Sequence, residues 1–150
     1  MNRTAILLST AILLLAASAL AAEPTAKGPA KAGSTPAQLA RGKYLVEQVA
    51  MCIDCHSPRD QQGQFIRAKW LHGAPLDFKN IVPMPKWAEI APPLAGLPGW
   101  SADQAVNLLM TGKDPHGDSP EPPMPSYRMN REDAAAVVSY LKSLPPPGAN

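Results

Sequence analysis

Seven prolines fall between residues 57 and 100, at Pro58, Pro75, Pro83, Pro85, Pro92, Pro93 and Pro98. Proline lacks the backbone N–H that a strand ladder needs, so it is confined to sheet edges. It also breaks the interior of a helix. The stretch therefore reads as loop with at most a short helical turn, and no convincing strand pair is expected. A structureless loop of this length is unusual in a compact domain. It becomes reasonable where the chain wraps a bulky group that supplies the missing core.

The flanking segments read as helices. Thr35-Pro36-Ala37-Gln38 has a capping residue, a proline suited to the first helical position and a glutamine that can reach back to the cap. Leu39, Gly42, Val46 and Val49 follow at helical spacing with Leu45 beside them, so this helix is expected to run to about Ala50. Ser101-Ala102-Asp103-Gln104 repeats the capping pattern, and Ala105, Leu108 and Leu109 point one way before Gly112 ends the helix. Asn130-Arg131-Glu132-Asp133 opens a third, with acidic residues where the helix dipole favours them. Ala134, Val137, Val138, Leu141 and Leu144 form its apolar face, and Pro145-Pro146-Pro147 stops it. The expected class is all-α, with three main helices and long Pro-rich loops.

The chain opens MNRTAILLSTAILLLAASALAAEPTA. A positive start at Arg3, an apolar run from Ala5 to Ala17 and the small residues of Ala19-Leu20-Ala21 form the pattern of a secretory signal peptide. Residues 1–21 are read as that signal, cleaved after Ala21, and a retained membrane anchor is the alternative. Residues 22–34, AEPTAKGPAKAGS, read as a flexible leader, 35–147 as the folded domain and 148–150 as a tail. Export would place the chain in an oxidising compartment. The net charge of +2 comes without any block of Lys or Arg, which argues against nucleic-acid binding and strong anionic-membrane binding.

The only two cysteines lie in Cys52-Ile53-Asp54-Cys55-His56. A Cys52–Cys55 disulfide would close a very small loop and constrain the unfolded chain little. A thioredoxin-like dithiol needs a βαβ context, which is not visible. Structural zinc wants four nitrogen or sulfur ligands, and the remaining histidines, His72 and His116, are isolated. Covalent attachment of one c-type haem accounts for every residue of the motif. Both thiols become thioethers to the vinyl groups, and His56 lies under the iron as proximal ligand.

Methionine is the sixth ligand that raises potential and suits electron transfer. Beyond the signal lie Met51, Met84, Met110, Met124 and Met129. Met51 adjoins the motif and cannot readily reach the opposite haem face, and Met110 reads as core filler. Met124, in Pro122-Pro123-Met124-Pro125, is held by flanking prolines and precedes the last helix by a short loop. It is the expected ligand, with Met84, Met129, His116, His72 or an open site as alternatives.

These residues resemble a monohaem class I cytochrome c, and in particular the haem domains of cytochrome subunits that serve bacterial periplasmic alcohol and sugar dehydrogenases. The resemblance rests on R-G-K-Y-L at 41–45, C-I-D-C-H-S-P-R-D at 52–60, P-P-L-A-G at 92–96, P-P-M-P-S-Y at 122–127 and E-D-A-A-A-V-V-S-Y-L-K-S-L-P at 132–145. It implies an all-α fold whose first and last helices cross at close contact, with Gly42 admitting the approach and Tyr140 packing over it. It implies that Pro92 offers its carbonyl to the proximal histidine, an outer-shell bond that fixes the ring. Trp100, Trp70 and Tyr127 become candidates to pack on the haem edge or bond its propionates. One haem motif stands where such multihaem relatives usually carry three.

The function this resemblance implies is one-electron transfer. With His56 and Met124 on the iron no substrate site remains, so the protein is expected to be a carrier and not an enzyme. It would take electrons from a periplasmic dehydrogenase and pass them to another cytochrome or a terminal oxidase, as a monomer or as a complex subunit. The alternatives are a haem subunit inseparable from a dehydrogenase, and a gas sensor or peroxidase-like protein with an open sixth site.

Overall fold

The computed structural model describes residues 34–149. The expected signal segment and all of the leader except Ser34 lie outside the described residues.

Helix α1, Pro36–Tyr44, starts as its sequence dictates. Thr35 Oγ1 accepts the Gln38 N–H at 3.1 Å and Pro36 occupies the first turn. The chain then widens into a π turn, Leu45–Val49, closed by a bond from the Ala50 N–H to the Leu45 carbonyl at 2.8 Å. A π turn holds one residue more than an α turn needs. Leu45 and Val46 remain buried, but Val49, expected inward at helical spacing, is displaced outward and exposed. Glu47 is turned inward instead, where its carboxylate accepts from Tyr140 Oη at 2.5 Å and Trp70 Nε1 at 3.2 Å.

Met51, in the left-handed region at φ 48°, turns the chain into α2, Cys52–His56. The Pro-rich stretch then contains one 3-10 turn, Arg67–Lys69, and a two-residue strand pair that the sequence did not suggest. Strands β1, Ala74–Pro75, and β2, Ile90–Ala91, run antiparallel, pairing Ala74 with Ala91 and Pro75 with Ile90. Proline is tolerated because each strand is an edge. The pair closes the loop 76–89, with Leu76 N–H bonded to the Glu89 carbonyl at 2.9 Å.

Helix α3, Ala102–Thr111, carries the full capping box, Ser101 and Gln104 each bonding the other's backbone. It ends at Gly112, whose φ of 69° favours glycine. Helix α4, Arg131–Ser143, is capped by the Asn130 side chain on the Asp133 N–H at 2.8 Å. Its inner face buries Ala134, Ala136, Val137, Val138, Tyr140 and Leu141. Burial of each Val or Leu stabilises by about 1.5–3 kcal/mol relative to exposure.

Helices α1 and α4 cross at Gly42. A Cβ built there would overlap the Ala136 carbonyl oxygen and stand 2.7 Å from Tyr140 Cβ. The crossing is clasped at its edge by Arg41 and Asp133, Nε to Oδ1 at 2.8 Å and Nη2 to Oδ2 at 3.1 Å. The core joins the π turn, α3 and α4, and the loops add Leu71, Ala95 and Leu97. The observed class is the expected all-α one.

Candidate haem-binding site

Short helix α2 fixes the motif. Its turn brings Cys52, Cys55 and His56 onto adjoining positions, with both cysteines half-buried and free. His56 is only 6% exposed. Burial lowers the pKa of its imidazole, and the Pro92 contact opposes this in part. The neutral ring therefore prevails, which is the form that coordinates a metal. His56 Nδ1 stands 2.6 Å from the Pro92 carbonyl oxygen, so Nδ1 carries the proton and donates it. Nε2 has no protein partner among the described residues and keeps its lone pair.

Burial pushes the Cys52 thiol up to about 11, and burial with the adjacent Asp54 raises Cys55 as well. Neither is a poised thiolate at neutral pH, unlike the low-pKa cysteine of a redox dithiol. Among the described residues, no group of three or more His, Cys, Asp or Glu side chains could hold a metal ion. A zinc site thus has no geometric support among them.

The segment bearing Met124 is tied down by its neighbours. The Pro122 carbonyl accepts from the Ala88 N–H at 2.8 Å, and Met129 N–H donates to the Leu109 carbonyl at 3.0 Å. Tyr127 Oη donates to the Ala50 carbonyl at 2.9 Å and lies beside the Cys52 thiol. Burial raises the Tyr127 pKa, so the hydroxyl remains a donor. The π turn frees that acceptor, because Ala50 lies just past the helical ladder. Met124 itself is half-buried.

The other candidates are placed differently. Met84 is exposed at 41%, His116 is exposed, and His72 is half-buried beside β1. Met110 and Met129 pack against the core. Trp70 packs on the core and gives its indole N–H to Glu47, so that N–H is engaged within the protein. Trp100 packs on the core, and its carbonyl accepts from Lys142 Nζ at 3.2 Å.

Sequence reasoning missed two residues here. A helical period of 3.6 places Glu47 on the outer face, and only the π turn brings it in. Trp87, the second of the chain's three tryptophans, lies in the Pro-rich stretch without any motif around it. Its indole Nε1 is buried with no hydrogen-bond partner among the described residues. Leaving such a donor unpaired costs about 1–3 kcal/mol. An orphaned donor, an imidazole with one free nitrogen and two half-buried thiols all fit a covalently attached group with iron and carboxylates.

The sequence matches the family model of cytochrome c over residues 39–145. The chain belongs to the cytochrome c family. It is 33% identical over 125 residues to the cytochrome c subunit of the quinone-dependent alcohol dehydrogenase of Gluconobacter oxydans, covering 75% of this chain and 26% of that protein. It is 32% identical over 111 residues to a diheme cytochrome c-type protein of Cereibacter sphaeroides, covering 70% and 35%. It is 29% identical over 113 residues to the fructose dehydrogenase cytochrome subunit of Gluconobacter japonicus, covering 70% and 22%. The chain thus spans about a third or less of the length of these relatives. Membership of this family implies electron transfer and covalently bound haem c.

Proposed function

We infer that this cytochrome c is a one-electron carrier with a single haem c, joined through Cys52 and Cys55 and ligated by His56 and Met124. The observation that carries this reading is the His56–Pro92 bond at 2.6 Å, which fixes the ring and leaves Nε2 for iron. When bound, haem c supplies a reversible one-electron iron couple. The chain's own residues do the rest. His56 and Met124 would hold the iron and so leave a substrate no place on it. Pro92 sets the tautomer of His56. Tyr127 holds the Met124 segment against the start of the attachment motif. The family's role supports transfer from a periplasmic dehydrogenase towards another cytochrome or a terminal oxidase. Residues 1–21 support export to the periplasm by their signal-like pattern. The small net charge of +2 favours brief docking through apolar contact.

A second reading, a subunit resident in a dehydrogenase complex, is favoured by one observation. Phe78, Ile81, Val82 and Met84 of the loop 76–89, and Ile90 at the start of β2, are all exposed, with Ile81 at 99%. An apolar run of this kind suits a protein partner. Native protein that co-elutes stoichiometrically with dehydrogenase activity would select this reading, and elution as a monomer selects the carrier.

Spectra of the purified protein, with a Met124→Ala variant, test the axial pair. The expected result is a low-spin covalent haem with a sulfur-to-iron band in the near infrared. In the variant the band is lost, the potential falls and carbon monoxide binds the reduced form. An unchanged potential would assign the ligand elsewhere, and carbon monoxide binding to the unaltered protein would favour a sensor or peroxidase-like function.

A further inference from the structure

His56 is followed by a second buried polar residue, Ser57, only 2% exposed. A buried hydroxyl is tolerated where it is hydrogen-bonded. Ser57 Oγ accepts from the Leu71 N–H at 2.9 Å. Leu71 is fully buried and sits at φ 58°, in the left-handed region that a leucine rarely enters. Such a conformation persists only where its surroundings hold it. The Ser57 bond is one such hold. The Leu71 carbonyl supplies two more, accepting from the Leu94 N–H at 2.9 Å and the Ala95 N–H at 3.0 Å.

These bonds close a ring on the proximal histidine. Leu94 and Ala95 follow Pro92, whose carbonyl accepts from His56 Nδ1 at 2.6 Å. The Gly73 N–H donates to the His56 carbonyl at 2.8 Å. Gly73 is itself packed against the Pro92 peptide, since an added Cβ would stand 2.9 Å from the Ala91 oxygen and 2.9 Å from the Pro93 nitrogen. Residues 71–73 therefore grip His56 and Ser57 on one side and residues 91–95 on the other. Two side chains take part in the ring, the His56 imidazole and the Ser57 hydroxyl, and the remaining partners are backbone groups. At Ser57 a substitution can thus remove a bond from the ring while the iron ligand stays in place.

We propose that Ser57 is a positioning residue for the proximal histidine. By pinning Leu71 it holds the Pro92 carbonyl against His56 Nδ1, and so it tunes the reduction potential. The proposal rests on the haem reading above. A short bond from Nδ1–H to a carbonyl makes the imidazole a more basic ligand. A more basic ligand favours the ferric form. Replacing Ser57 by alanine deletes the acceptor, strands the buried Leu71 N–H and lets residues 91–95 draw away. The imidazole then gives less electron density, and the potential rises.

The test uses 15N-labelled holoprotein in the reduced, diamagnetic state, with Ser57→Ala and Ser57→Thr variants. Ser57→Ala should raise the potential, speed exchange of the His56 ring proton and of the Leu71, Leu94 and Ala95 amides, and keep the sulfur-to-iron band. Ser57→Thr keeps the hydroxyl and should return the potential to that of the unaltered protein. Tyr140→Phe, which deletes a bond outside the ring, should leave the potential unmoved and so separates this effect from general loosening. A Ser57→Ala protein with an unchanged potential overturns the proposal. So does a rise that Ser57→Thr or Tyr140→Phe shares. If Ser57→Ala yields no holoprotein, the unaltered protein decides. Members of one ring open together, so the His56 ring proton and the Leu71 amide should show the same protection, and unequal protection overturns the proposal. Failure of the underlying haem reading is distinguishable, because the unaltered protein would then carry no covalent pigment at all.

Discussion

The α1–α4 crossing and the 76–91 segment solve opposite problems with the same chain. The crossing is complete in itself. Its glycine admits the neighbouring backbone, its apolar faces are buried and its polar groups find partners across the contact. The loop segment buries little, exposes Phe78, Ile81, Val82, Met84 and Ile90, and holds the orphaned indole of Trp87. Its order comes from a two-residue ladder and a backbone bond to Pro122. The difference teaches that the helices supply a scaffold from protein alone, whereas this loop leaves an indole donor and an apolar run without protein partners among the described residues.

The strongest way to break this comparison is to remove the covalent attachment. Replacing Cys52 and Cys55 by serine should leave no pigment on the chain after acid–acetone extraction. Hydrogen exchange of that variant should keep α1, α3 and α4 protected while amides of 76–91 and 119–127 exchange faster. Equal loss of protection in both regions would refute the division.

Gly42→Ala attacks the other side. The added methyl meets backbone that cannot yield, so a loss of about 3 kcal/mol is expected in denaturant unfolding. Gly63, at φ 76° with nothing within 4 Å of an added Cβ, provides the comparison in the loops. Gly63→Ala should cost only about 1–2 kcal/mol, from backbone strain alone. Similar losses at both sites would mean that the crossing is looser than described.

Tyr140→Phe sharpens the account of the π turn. It removes the hydroxyl that Glu47 accepts at 2.5 Å, leaving the carboxylate with Trp70 only. A loss of about 1–2 kcal/mol is expected, visible as a lower denaturant midpoint. An unchanged midpoint would show that water replaces the hydroxyl freely.

The smallest effect belongs to Asp133, whose pKa is lowered first by its hydrogen bond with Arg41. A carboxyl with a folded pKa below its unfolded value stabilises fully above the unfolded pKa, about 3.9. That contribution is lost as the pH falls through the folded value. Asp133→Asn should therefore flatten the acid limb of the stability–pH curve and converge with the unaltered protein at the lowest pH. Parallel curves would show that the pair is idle in solution.

Much of this was legible in the sequence wherever the cause was local. Ser101 with Gln104, Asn130 before an acidic turn and Gly112 at a helix end each announce their element through chemistry within a few residues. Gly42 and Tyr140 were legible through the family resemblance. The π turn was not, since Val49 keeps helical spacing while the backbone beneath it changes period. At the first helix cap, the Thr35 bond forms but the reciprocal one from the Gln38 side chain does not, so the capping pattern is only half realised there. The β1–β2 pair was hidden because proline discourages strands in general, and the exception depends on both strands being edges. At the site, the C-x-x-C-H spacing makes Cys52, Cys55 and His56 candidates without any tertiary information. Trp87 was not readable, because its distinguishing property is an absent protein partner, and only three dimensions reveal that.

The widened turn at Leu45–Val49 makes chain length there as consequential as side-chain identity. Excision of a single codon, for instance that of Gln48, would restore an ordinary helical phase. Glu47 would swing away from Tyr140 and Trp70, and the Ala50 carbonyl would retract from Tyr127. Substitutions in this stretch can be absorbed one at a time, but an in-frame deletion of one residue unfastens the last helix, the Met124 segment and the attachment motif together. Such a deletant that retained native exchange protection at all three would contradict this.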